Sequence, residues 1–268
     1  MSMFGAAAAI EARARMNYRV DFWVSSLLGF VVEVAVVWIL WTAIFAESKA
    51  VKIVGFDASN IYLYYFLVVL FAKVTQGDRA ANDTADDIYQ GRMNKYILMP
   101  VRYLGFKYAQ YLGRMAPAFI QFVLFGIALA TVLRMPPSVD ITAGSILMCL
   151  VSLALANILF FLIDMLVQLC AFWLGSVSGL LSIKLFVATL LGGYLLPIAM
   201  FPERVRAVID VLPFRHIYGT PVTTLMGHSS LSQWMVDIAL ASGWCLALYL
   251  ACQLAWFAGK SRYSGVGI

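Results

Sequence analysis

"NDTADDIYQGRMNKYILMPVRY", residues 82–103, is a charged island in an apolar chain. Long runs of Val, Leu, Phe and Ala flank it on both sides. Asp83, Asp86 and Asp87, with Asp78 just upstream, come before Gly91, and Arg92, Lys95 and Arg102 follow it. The fold turns on whether this island belongs to a soluble domain or to a loop between membrane spans. Of the 268 residues, 63% are hydrophobic and 12% charged, whereas soluble domains carry about 25% charged residues. The bilayer therefore sets the core, and the island is a loop.

A helix needs about 20 apolar residues to cross a bilayer. Six stretches meet or approach this length: 22–45, 60–76, 116–133, 143–168, 172–198 and 234–258. An even number of spans puts both termini on one side. Segments 1–21, 77–115 and 259–268 together hold eleven Lys and Arg, against six in 46–59, 134–142 and 199–233. The positive-inside rule then predicts cytoplasmic termini and a cytoplasmic 77–115 loop. The expected fold is an all-α integral membrane protein with six transmembrane helices, one domain over 1–268. It opens with an interfacial helix at 1–21. The N-terminus begins apolar and turns basic, the reverse of a secretory signal, so no cleavage is predicted.

Two readings of the inner loop stand from its residues alone. One is a solvated loop. The other is a docking helix: Asp83, Asp86 and Asp87 near a helix start, capped by Asp83 or Thr84, with Ile88, Tyr89, Met93, Ile97 and Leu98 as an apolar face for a partner's groove. After Pro100, "VRYLGFKYAQYLGR" is expected to lie along the inner surface. On the outer side, 197–230 is interrupted by Pro197 and Pro202. Val205, Val208, Ile209 and Leu212 then recur at helical spacing, which predicts two short re-entrant helices within 197–227.

The six spans, the loop "DIYQGRMNKYILMPV" (87–101) and the late "GGYLLPIAMFPERVRAVIDVLPF…YGTPVTTLMG" (192–227) resemble the permease subunits of ABC type-2 exporters. The likeness extends to the branch that pairs with a related permease and shares an ATPase. It implies a coupling helix over about 83–92, with Asp83, Asp86, Asp87, Ile88, Tyr89 and Arg92 facing a separate nucleotide-binding subunit that carries ATP and magnesium. It further implies a second permease subunit, a bacterial cytoplasmic membrane, and a path bordered by Tyr62, Tyr65 and Phe66. Asn94 departs from the family pattern, which is acidic there.

No catalytic or metal chemistry is expected of the chain, nor nucleic-acid binding from a net charge of only +5. "FAGKS" (257–261) ends like a phosphate-binding loop, but position 254 is Leu where that loop needs Gly. His216 and His228 lack neighbours at ligand spacing, and Cys149, Cys170, Cys245 and Cys252 read as small buried hydrophobes. Glu33 and Lys184 are the costliest intramembrane residues, and their matched depth predicts an ion pair or a substrate path. Asn157, Asp164 and Gln168 form one polar stripe, and Gly175 and Gly179 a GxxxG packing motif. The function expected is export of an amphipathic molecule such as a drug, lipid-linked molecule, glycan or hydrophobic peptide. A proton-coupled carrier and a non-transporting scaffold that recruits an ATPase are the alternatives.

Overall fold

The computed structural model describes residues 3–17, 19–48, 52–53, 55–76, 83–99, 102–132, 139 and 141–263. Asp78, Pro100 and Leu133 lie outside them, as do the side chains of 15–23 and 128–132. The described chain is helical apart from short connections. Four helices are long and apolar enough to cross a membrane, over Val24–Ser48, Ala58–Gln76, Ala143–Phe172 and Leu231–Lys260. The protein is a multi-pass membrane protein.

Helix α1 (Met3–Asn17) lies against α6 (Tyr103–Val132). The approach is close because position 113 is glycine: a Cβ there would sit 2.2 Å from the Ala8 carbonyl oxygen. Gln110 donates to Glu11 at 3.0 Å and fixes the register. Helix α2 (Arg19–Ser48) is apolar nearly all round and largely exposed, the pattern of a lipid-facing helix. Its inward side chains Phe30 and Trp41 meet α3 (Ala58–Gln76). In α3, 67% of the spanning window is buried, against 11% in α2, so α3 is the centre of the bundle.

Helices α4 (Asp83–Tyr89) and α5 (Asn94–Leu98) form the base. The stretch after Pro100 runs unbroken into the span expected at 116–133. It is the first half of α6, a helix of 30 residues and thus ~45 Å, well beyond the ~30 Å of a bilayer core. Burial explains this: Tyr103, Leu104, Lys107, Ala109 and Met115 all face the bundle. Tyr103 stacks on Trp256 at 4.0 Å, joining α6 to α11 (Leu231–Lys260).

Helix α7 (Ala143–Leu169) ends in a 3-10 turn at Cys170–Phe172. The next helix, α8 (Ser178–Leu191), has 14 residues, not the 27 of the expected span 172–198. Hydropathy carried the expectation past residues that break the backbone. Gly175 and Ser176 precede α8, and Gly193, at φ +89°, ends its run. Gly175 therefore lies outside the helix, and the GxxxG motif presents no helical face.

The proline breaks between α8 and α11 fall as expected. A 3-10 turn, Ile198–Met200, leads into α9 (Glu203–Val211) and α10 (Arg215–Leu225). Only Ile209 of the expected apolar face of α9 is fully buried; Val205 and Val208 are exposed. Helix α10 is the reverse, buried from His216 to Val222 against α7 and α3.

Candidate functional site

The base is organised by Asp87. Its carboxylate is buried and accepts from the Lys107 Nζ at 2.9 Å and the Arg92 Nε at 2.9 Å, with Lys95 at 3.9 Å. Burial pushes the Asp87 carboxyl up, but Lys107, Arg92 and Lys95 outweigh it and hold it below the ordinary carboxylate value. Burial also pulls the Lys107 ammonium below the lysine range, with Asp87 opposing. The Lys107 ammonium sits over the Tyr96 ring at 4.7 Å, a second partner for a charge held out of water. Asp83, one helical turn away, pairs with Arg114.

The sequence reading missed Lys107, Arg114, Gln168 and Tyr103 as members of this site. A signal was present. Asp83 and Asp87 are four apart on α4, and Lys107 and Arg114 are seven apart on α6, so two acids on one helix face two bases on one face of another.

Capping also differs from expectation. Neither Asp83 nor Thr84 caps α4. The Gln168 Oε1, from α7, accepts from the Thr84 amide at 2.9 Å and the Ala85 amide at 3.4 Å. The Thr84 hydroxyl instead accepts from Tyr103 at 3.1 Å. Gln168 Nε2 donates to Asp164 at 2.6 Å, and Lys184 donates to the other Asp164 oxygen at 2.6 Å. A continuous polar chain thus runs from the start of α4, through α7, to α8. The expected stripe of Asn157, Asp164 and Gln168 is therefore in use, with Asn157 donating to the Val74 carbonyl at 2.8 Å.

Lys184 and Glu33 are consequently not partners within the chain. Glu33 faces Lys73 at 3.9 Å and accepts from the Tyr194 hydroxyl at 3.4 Å. The matched depths rested on a fifth helix starting at 172–173. With α8 starting at Ser178, Lys184 comes to Asp164 instead.

Of the coupling residues expected from sequence, Asp87 and Ile88 are buried, Tyr89 and Asp83 partly buried, and Asp86 and Arg92 exposed. Ile88 packs in the lower core with Met93, Tyr103, Phe172 and Trp256, so it is no anchor for a partner. The apolar residues that reach outward are Ile97, Leu98 and Met99, exposed to 43%, 84% and 42%.

Tyr62, Tyr65 and Phe66 tie α3 to its neighbours. The Tyr62 hydroxyl bonds Thr42 at 2.9 Å, Tyr65 donates to the Leu195 carbonyl at 3.0 Å, and Phe66 meets Phe30 edge-on at 5.3 Å. Tyr64 donates to the Gly193 carbonyl at 2.7 Å and is fully buried.

Between α3, α4, α6, α7 and α8 lies a cavity of about 240 Å³, lined among others by Gln76, Asp83, Arg114, Asp164, Ser182 and Lys184. Among the described residues no group of three His, Cys, Asp or Glu side chains is placed to hold a metal ion. The arrangement offers a rigid polar base with an apolar knuckle and a charge-lined cavity above it.

No curated protein and no solved structure matches the chain. A family model described as ABC-2 family transporter protein matches residues 31–267, which takes in every helix from α3 to α11 and most of α2. The chain belongs to the ABC-2 transporter family and is a membrane permease of the ABC type.

Proposed function

We propose that the chain is the membrane-spanning subunit of an ATP-driven exporter in a bacterial cytoplasmic membrane. Two such permeases, identical or related, stand over separate nucleotide-binding subunits that carry ATP and magnesium. In this reading α2, α3, α6, α7, α8 and α11 make six crossings, with both termini and the α4–α5 base on the cytoplasmic side. Helix α8 alone, at ~21 Å, is too short for a ~30 Å core, and the segments 173–177 and 192–197 complete its crossing. Helices α9 and α10 enter from the outer face without crossing. The path for an amphipathic cargo runs beside α3, with Tyr62, Tyr65 and Phe66 on its border.

The observation that carries this reading is the base itself. Asp87 and Lys107, and Asp83 and Arg114, are paired within it, while Ile97, Leu98 and Met99 are exposed, as are Asp86, Arg92 and Lys95. An exposed apolar knuckle on a base that also exposes both charge signs suits insertion into a groove of a folded partner. Motion of that partner on closing over ATP would reach α8 through Gln168 and Asp164.

Co-purification tests it. Changing Ile97 and Leu98 together to Asp is expected to release the ATPase while the permease stays folded. Retention of the ATPase at the native yield would move the docking surface elsewhere. Vanadate-sensitive export from vesicles, present with the ATPase and absent without it, separates an exporter from a scaffold.

A further inference from the structure

We infer that the apolar groove between α3, α6 and α7 is a binding site for one acyl chain of a membrane lipid. The inference goes beyond the export reading and depends on neither the ATPase nor the cargo.

The groove lies in the half of the bundle farther from the base. Its floor is Leu63, Leu67, Leu70 and Phe71, spaced so that they share one face of α3. Phe122 and Gly126 of α6 form one wall, and Cys149 of α7 belongs to the other. Toward the base the two walls meet, where Asn157 donates to the Met115 sulfur at 3.2 Å. At the far end, where α7 begins, Val139 and Ile141 line it. The side between α6 and α7 is rimmed by Val123 and Leu150, exposed to 55% and 51%. In a membrane protein such a rim is met by lipid.

Chemistry and size select the occupant. The groove encloses about 650 Å³, within the ~300–1,000 Å³ of sites that take a whole ligand. No charged, hydroxyl or amide side chain lines it among the described residues. Water is excluded, because an apolar cavity without polar partners stays dry. A head group would find no partner either. Left empty, the lining would forfeit dispersion contacts on one side. Hydrocarbon alone satisfies these walls, and the bilayer that α3 and α7 are built to cross supplies it as acyl chains.

Length fits the same occupant. From Leu63 to Phe71 the floor runs ~12 Å along α3, close to the ~15 Å depth of one leaflet. One chain standing upright in the leaflet away from the base therefore fills it, entering sideways between α6 and α7. The face is not that of the proposed cargo path, since Tyr62 and Tyr65 turn to Thr42 and the Leu195 carbonyl. The chain is thus a resident of the bundle, not cargo in transit.

Photolabelling in vesicles tests this. The full-length permease, without the ATPase, is reconstituted into phosphatidylcholine containing a phosphatidylcholine with a diazirine near the methyl end of one chain. Labelled residues are mapped by mass spectrometry. The four floor residues are at most 6% exposed, so a chain that only surrounds the protein reaches Val123 and Leu150 but not them. Label on the floor of the native protein is expected, and its absence overturns the inference whatever any variant does. Gly126 supplies the second arm, because a Cβ there meets no atom within 4 Å and a larger side chain has open space. Gly126→Leu should lower the floor label at least about tenfold while the rim label stays. A floor label that persists in this variant overturns the inference. The same labelled chain on phosphatidylethanolamine or phosphatidylglycerol should mark the floor equally, since nothing polar lines the groove. A preference of about tenfold or more for one head group would show that the head, not the chain, is recognised, and overturns it too. With neither ATPase nor cargo present, such a failure is independent of the export reading.

Discussion

The base formed by α4 and α5 and the segment from Gly192 to Ser230 both interrupt the apolar chain, and they resolve the interruption in opposite ways. At the base Asp87 and Lys107 turn inward and three large apolar residues, Ile97, Leu98 and Met99, turn outward. In the later segment α10 turns uncharged polar and apolar groups inward, while the ion pairs from Arg215 to Asp210 and Asp237 stand at the edge of a separate cleft. The base is held by ionic contacts among side chains. The later segment is held by backbone geometry: Tyr64 donates to the Gly193 carbonyl, and Gly192 accepts from the Gly219 amide at 2.9 Å. Charge in a loop's sequence therefore says little about which side of that loop meets a partner.

The largest effect expected from this contrast is at Asp87. Asp87→Ala leaves the Lys107 ammonium buried without its counter-ion, which typically costs about 3–5 kcal/mol. Asp87→Leu combined with Lys107→Met should recover much of that loss, measured as the melting temperature of the purified permease. A single-mutant loss no larger than that of Arg92→Ala, which removes only an exposed partner of the same carboxylate, would mean that the base is not organised around Asp87. The same residue sets an acid limit. Because the Asp87 pKa is lowered in the folded protein, its contribution is complete above the ordinary carboxylate value of about 3.9 and is lost as pH falls through the lowered one. Melting followed downward from pH 6 should show an acid-induced loss in the native protein that is reduced in Asp87→Asn.

A smaller effect is expected at Gly193, on the other side of the comparison. Its φ of +89° is strained for any residue with a side chain, and a Cβ would lie 2.6 Å from the Tyr64 hydroxyl. Gly193→Ala should cost about 1–3 kcal/mol. A neutral outcome would show that the end of α8 is held by something other than this turn and its tyrosine.

These two regions also mark where the sequence was informative. The inner island, the proline breaks at 197 and 202 and the long apolar helices were visible because hydropathy and helix breakers act locally. The orientation of α4 was not visible. Ile88 and Leu98 are both apolar and both near charge, and nothing in their spacing says which one faces the lower core and which is exposed. Lys184 failed for another reason. Pairing by depth needs the start of a helix to within about a turn, and an apolar run does not report that Gly175 and Ser176 have already left it. Likewise Gln168, a cap supplied across helices, has no local signature on α4.

The smallest expected effect is at Leu98, and setting it against Ile88 sharpens the contrast inside the base itself. Ile88 is 1% exposed and enclosed by the lower core, so Ile88→Ser removes buried apolar contacts and leaves a void with a hydroxyl in it. Truncations of that kind cost about 2–5 kcal/mol. Leu98 is 84% exposed at the end of α5, and Leu98→Ser removes almost no contact within the chain. Substitutions at such positions change stability by no more than about 0.5 kcal/mol. The two variants, melted side by side as isolated permease, should therefore differ by several degrees, with Leu98→Ser indistinguishable from the native protein. A comparable loss in both would mean that the 97–99 knuckle packs against the permease in solution. The outward face of the base would then have to be sought among Asp86, Gln90 and Arg92.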